Sequence, residues 1–173
     1  FSQLENLGQI SFRELQTPLQ TEGSTSIDEA LQTGALALSI GMSDSALTQA
    51  RTVLRGQPAN PAARALLGRA LLSAGNTKRA VDYLLAATQQ TPSIAELWFD
   101  LAGALRQDRQ MPNAVQALET SLRLDSKRLD AWLMLTELAK NVGADELARD
   151  ALNIAKELDP YDPRVTELLS AVA

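Results

Sequence analysis

Residues 95–128, AELWFDLAGALRQDRQMPNAVQALETSLRLDSKR, hold two apolar stripes of helical period. Trp98, Leu101, Ala102 and Leu105 stand at i, i+3, i+4 and i+7, and Ala114, Ala117, Leu118 and Leu122 form a second stripe beyond a polar break at Arg109. Such spacing puts each set on one face of a helix, so the stretch predicts a helix, a short turn and a second helix packed back on the first. It is also one copy of a repeat. At steps of 34 residues, without insertion, Gly34 returns as Gly68, Ala102 and Thr136; Ala46 as Ala80, Ala114 and Ala148; and Pro58 as Pro92, Ser126 and Pro160. Gly41, Gly75, Arg109 and Gly143 keep the same phase, as do Ala50, Leu84, Leu118 and Leu152, and Trp98 with Trp132. Four repeats follow: 27–60, 61–94, 95–128 and 129–162.

Local chemistry at the expected helix ends agrees with this division. Ser26-Ile27-Asp28-Glu29 and Ser93-Ile94-Ala95-Glu96 have the form of capping boxes, and Asn60-Pro61 and Asp162-Pro163 place an N-cap before a proline at the first helical position. Gly41, Gly75 and Gly143 suit the left-handed position that ends a first helix. The column of Gly34, Gly68 and Ala102 is small because two helices that cross closely leave room for a Cβ or less.

Composition narrows the chemistry. The 173 residues are 45% hydrophobic and 21% charged, the balance of a chain that can bury a core. There is no Cys and no His, which removes disulfides, thiolate nucleophiles, the commonest metal ligands and the usual neutral-pH proton shuttle. Neither a cofactor nor a metal is expected. With 16 Lys and Arg against 21 Asp and Glu, the net charge of −5 offers no overall field for a phosphate backbone, so nucleic acid is not an expected partner. No apolar run approaches the roughly 20 residues that span a bilayer, and the opening Phe1-Ser2-Gln3-Leu4 lacks the basic and apolar regions of a signal peptide. No membrane contact is expected of this segment. Because it starts at Phe1 and not at Met, the expectation is a piece of something longer, with an exported or membrane-anchored whole compatible with the lack of Cys.

The repeats resemble tetratricopeptide repeats, which have this period and carry Trp, Leu-Gly, Tyr, Ala, Phe and Pro columns. Leu67-Gly68, Ala80, Leu84, Ala87 and Pro92 stand in those columns in the second repeat, and Trp132, Leu135, Ala148, Leu152, Ala155 and Asp159-Pro160 in the fourth. The first repeat is degenerate at Ala30 and Thr33, and the third has Arg109 and Ser126 where turn glycine and proline would be. The resemblance implies an all-α fold: a right-handed α-solenoid of antiparallel helix hairpins, a tetratricopeptide-like superhelix. Residues 163–173 are expected to form a helix that covers the last hairpin, as an array must close its apolar end. Residues 1–26 carry Leu4, Leu7, Ile10, Leu15 and Leu19 ahead of a polar linker, interrupted by Pro18. They either cover the first repeat or dock elsewhere as a tether.

In proteins of this kind the first helices line a concave groove, and the resemblance places Leu31, Leu38, Arg69, Leu72, Glu96, Phe99, Arg106, Asp130, Leu133, Glu137 and Lys140 along it. Leu31, Leu38, Leu72, Phe99 and Leu133 are expected to need a cover, for which a peptide or helix of a partner protein is the natural occupant. Arg69, Arg106 and Lys140 would orient it. The carboxylate clamp of chaperone-binding members is absent: Leu31, Ala35, Leu66, Glu96 and Asp100 occupy its positions in one register, and Ala65, Arg69, Asp100, Asp130 and Met134 in the next. Glu96, Asp130 and Glu137 could be read as a hydrolase's carboxylates, but nothing in the sequence sets one apart as an acid and another as a base. Trp98 and Trp132 belong to the repeat core, and the glycine pairs lack the Lys-Ser or Lys-Thr of a phosphate loop. The expectation is therefore a non-enzymatic interaction scaffold or assembly factor. Its alternative is a homo-oligomeric architectural module joined head to tail or through residues 1–26, since the second repeat is basic and the fourth acidic.

Overall fold

The computed structural model describes residues 26–172, with nine helices and no strand among them. The cover or tether expected of the N-terminal segment lies outside the described residues. By its contacts the chain divides into two compact units, one ending at Ala87 and the other beginning at Thr88. The fold is all-α, built of antiparallel helix hairpins as the sequence leads one to expect.

The N-terminal unit contains α1 (Ile27–Ser39), α2 (Ser43–Gly56), α3 (Pro61–Ser73) and most of α4 (Thr77–Gln90). Helix α1 begins with a complete capping box, in which the Ser26 hydroxyl accepts from the Glu29 amide at 3.1 Å and the Glu29 carboxylate accepts from the Ser26 amide at 2.9 Å. Asn60 caps α3 by accepting from the Ala63 amide at 2.9 Å, with Pro61 supplying a first-turn residue that needs no amide partner. Ala46, Ala50, Leu54, Leu66, Leu67 and Leu84 are buried between the helices. Gly34 and Gly68 sit where the helices approach most closely. A Cβ on Gly68 would lie 2.6 Å from Leu84 Cγ, and one on Gly34 would lie 2.5 Å from Leu66 Cδ2.

The C-terminal unit contains α5 (Ala95–Gln107), α6 (Met111–Leu124), α7 (Leu129–Asn141), α8 (Asp145–Leu158) and α9 (Pro163–Val172). Leu101, Leu105, Leu118, Leu122, Leu135 and Leu138 fill its interior. The expected capping box at Ser93 does not form: the N-cap residue of α5 is Ile94, whose side chain cannot accept a hydrogen bond. The N-caps Ser26, Asn60, Ile94 and Arg128 themselves keep the 34-residue step, and Ser93 stands one residue out of phase.

Within each hairpin the same turn closes the first helix. Gly41, Gly75 and Gly143 have φ of 79°, 78° and 77°, and Arg109 has φ of 61°. In each case the next amide reaches back five residues: Met42 to Ala37, Asn76 to Leu71, Gln110 to Leu105 and Ala144 to Ala139, all at 2.8–2.9 Å. These long bonds are those of a Schellman turn, which satisfies the last carbonyls of the helix.

A second recurring bond ties three of the hairpins to the link before them. The indole Nε1 of Trp98 donates to the Pro92 carbonyl and that of Trp132 to the Ser126 carbonyl, both at 2.8 Å. Arg64 occupies the same column and makes the same connection with its guanidinium, donating from Nε at 3.2 Å and Nη2 at 2.9 Å to the Pro58 carbonyl.

Candidate interaction site

The first helices α5 and α7, with α9, line a cleft of about 400 Å³ in the C-terminal unit. Of the groove residues expected from sequence, Phe99, Arg106, Asp130, Leu133 and Glu137 line it, joined by Met134, Arg164, Glu167 and Leu168. Glu96 is exposed on α5 and Lys140 half-buried on α7, and neither lines the cleft. Leu31, Leu38, Arg69 and Leu72 are half-buried in the N-terminal unit.

Leu133 corrects one expectation. The sequence leaves it waiting for a partner, but it is 4% exposed and packs with Leu152, Ala155 and Val165, with Leu168 and Leu169 against the same cluster. The chain's own α9 covers it. Phe99 and Met134 remain half-buried at the cleft. The Arg128 guanidinium lies over one face of the Phe99 ring, 4.4 Å from its centroid, while Phe99 still lines the cleft.

The charged rim is organised in cross-helix pairs. Arg106 Nη1 meets Glu137 Oε2 at 3.0 Å, joining α5 to α7, and Arg164 Nη1 meets Asp130 Oδ1 at 2.6 Å, joining α9 to α7. Arg164 also grips Asp162, with Nη2 to Oδ2 at 2.8 Å and Nε to Oδ1 at 3.0 Å. The side-chain bond from Arg164 holds the Asp162 carboxyl below its ordinary value, and the bonds from Asp162 and then Asp130 push the Arg164 guanidinium upward. These pairs are open to water, where each is worth little to stability; their use is to hold the side chains in place. Asp130 and Glu137, the carboxylates that a hydrolase reading would need, are each engaged by an arginine from another helix.

Arg164, Glu167 and Leu168 were not among the groove residues expected from sequence, although the signal was present. Asp162-Pro163 stands one period after Arg128-Leu129, so Arg164 falls in the column of Glu96 and Asp130. Helix α9 is thus in phase with the first helix of a further hairpin. Arg128 had no such signal, because stacking on Phe99 depends on how the link before α7 folds.

This arrangement defines a helical-hairpin repeat protein with an open cleft on its first helices. Among the described residues, no helix is long and apolar enough to cross a membrane and no group of His, Cys, Asp or Glu could hold a metal ion. The tetratricopeptide repeat family matches residues 31–93 and 72–128, together more than half the chain. The chain belongs to that family, whose members are protein-interaction scaffolds generally without catalysis of their own. Solved structures agree on the fold. The MamA protein is 20% identical, with a TM-score of 0.74 over 84% of this chain and 80% of that one. MamA from residue 41 to its end, from Desulfovibrio magneticus RS-1, is 21% identical, with a TM-score of 0.71 over 80% and 78%. TTC0263, a thermophilic TPR protein of Thermus thermophilus, is 20% identical, with a TM-score of 0.70 over 85% and 81%. At these identities the likeness is one of fold. No curated protein matches the chain in sequence.

Proposed function

We propose that this chain is an interaction scaffold that binds a peptide or helix of a partner protein in the cleft of its C-terminal unit. The supporting observation is the cleft itself: Phe99, Met134 and Leu168 give it an apolar lining, and the Arg106–Glu137 and Arg164–Asp130 pairs supply charged partners. Apolar pockets fix the side chains of a docked segment, while placed charges set its direction. The ligand side chains sit on helices, so little ordering entropy is lost on binding. Leu31, Leu38, Arg69 and Leu72 extend the same reading to the first helices of the N-terminal unit.

The test is a peptide library panned on the intact chain, followed by affinities on variants. Phe99→Ala with Met134→Ala should weaken selected peptides at least tenfold, about 1.4 kcal/mol, with the helical spectrum unchanged. Arg106→Glu should act through charge, with an effect that shrinks at high salt. Arg55→Glu, on the exposed side of α2, is the control and should change nothing. Peptides whose affinity ignores Phe99 and Met134 would move the site off the cleft.

Self-association is the second reading, favoured by an uneven charge. Residues 26–87 carry six basic and four acidic side chains, and residues 88–173 carry nine and fourteen. A chain that stays monomeric in solution at low salt and high concentration removes it.

A further inference from the structure

The charges around the cleft are not equally committed. Arg106 is paired with Glu137, and Arg164 holds two carboxylates, Asp130 and Asp162. Arg128, stacked over Phe99, does not line the cleft. Glu167 does line it and is exposed, and among the described residues its carboxylate has neither an ion pair nor a hydrogen bond. An anionic ligand therefore meets arginines that carboxylates already neutralise, whereas a cation meets a carboxylate open to water. The repeat puts that carboxylate in an apolar setting. Phe99, Leu133 and Glu167 share one column of the 34-residue step, so the column that is apolar on α5 and α7 ends in an acid on α9, next to Leu168.

Gly103 supplies a second feature. It lies on α5 four residues after Phe99 and three before Arg106, on the face that those two residues turn to the cleft. Glycine inside a helix is destabilising relative to alanine. Gly34 and Gly68 have neighbours that a Cβ would strike, but a Cβ on Gly103 would meet nothing within 4 Å. Its effect is to leave bare backbone on that face of α5, with room for a bulky side chain supplied from outside.

Taking the cleft as the binding site, we propose that its occupant is a basic and apolar peptide segment of a partner protein. A Lys or Arg of the segment pairs with Glu167, and a bulky apolar side chain packs against Phe99 and Met134 and fills the space that Gly103 leaves open. The Arg106–Glu137 and Arg164–Asp130 pairs frame this seat, and Glu167 recognises the charge. An acidic segment finds no such counter-charge and is repelled by Glu167.

The probe is a random-sequence displayed peptide library panned on the full chain, with each recovered peptide measured again on variants. Peptides weakened by Phe99→Ala with Met134→Ala should be rich in Lys or Arg beside Leu, Ile, Met or Phe. Glu167→Gln should weaken them about two- to fivefold, the range of an exposed ion pair, and Glu167→Lys further, both effects shrinking at high salt. Exchanging the basic residue of the peptide for Glu should restore binding to the Glu167→Lys chain, which separates a direct pair from damage to α9. Gly103→Leu should weaken the same peptides roughly tenfold or more without lowering the melting temperature, since leucine favours a helix. Peptides that need Phe99 and Met134 but are indifferent to Glu167→Lys, or that carry acids in place of bases, overturn the inference and leave the cleft as the site. Undiminished affinity for Gly103→Leu overturns the apolar seat, and the inference with it. Peptides indifferent to Phe99 and Met134, or no peptide retained above background, overturn the cleft and this inference together.

Discussion

Replacing Arg109 by glycine isolates the cost of one backbone angle. Arg109 closes α5 at φ 61°, where the other hairpins have glycine, and its turn makes the same back-bonds, Arg109 to Arg106 at 3.1 Å and Gln110 to Leu105 at 2.9 Å. An L-residue in the left-handed region costs roughly 1–2 kcal/mol. Glycine returns about 0.4–1 kcal/mol of that through its greater freedom in the unfolded chain, so the net gain should be roughly 0.5–1 kcal/mol. At about 2–4 °C per kcal/mol for a chain of this length, the melting temperature should rise by about 1–4 °C. Because repeat proteins sum local and nearest-neighbour terms, hydrogen exchange should show the gain most clearly at the amides of Arg109 and Gln110. Arg109→Ala keeps the angle and the penalty, so it should leave the melt unchanged; Gly143→Ala installs the penalty and should lower it. A melt that Arg109→Gly leaves unchanged or lowers, or that Arg109→Ala raises equally, would refute backbone strain as the cost.

Gly68→Ala should destabilise by roughly 1–3 kcal/mol, since its Cβ would press on Leu84, whereas Gly103→Ala, with nothing within 4 Å, should stabilise by about 0.5–1 kcal/mol; denaturant midpoints measure both. Leu133→Ala should cost roughly 2–4 kcal/mol and loosen α9, seen as faster exchange at Val165 and Thr166, because Leu133 lies under that helix. Asp162 is held below its ordinary value by Arg164, so its contribution is present above the unfolded value of about 3.9 and lost as pH falls through the folded one. Exchange in α9 should therefore accelerate below about pH 4, and Asp162→Asn should abolish that dependence.

Helix existence was legible in the sequence because it rests on short-range spacing: the stripe of Trp98, Leu101 and Leu105 needs no knowledge of its neighbours. The caps at Ser26 and Asn60 were legible for the same reason, since donor and acceptor lie three residues apart. Ser93 misled because its local motif matched while its phase did not; the 34-residue step assigns Ile94 to that position. Leu133 was not legible as covered, because its burial depends on α9 packing back over α7, a contact that the 34-residue column does not encode. The rim pairs Arg106–Glu137 and Arg164–Asp130 span 31 and 34 residues and depend on which neighbouring helix each side chain reaches. That step requires packing, which spacing alone does not supply.

The chain contains two tryptophans, and each indole is bonded to the carbonyl of the residue six positions earlier, in the link before its own hairpin. Each is therefore an optical gauge built into one joint. Indole emission responds to the loss of a hydrogen bond and to the entry of water, so Trp98→Phe leaves a chain that reports on the joint at Ser126, and Trp132→Phe one that reports on the joint at Pro92. Followed during titration with a ligand or denaturant, the two chains would tell which joint yields first, with no dye attached and no mass added. Arg64, which makes the same connection at Pro58, is invisible in that window, and Arg64→Trp would extend the gauge to a third joint.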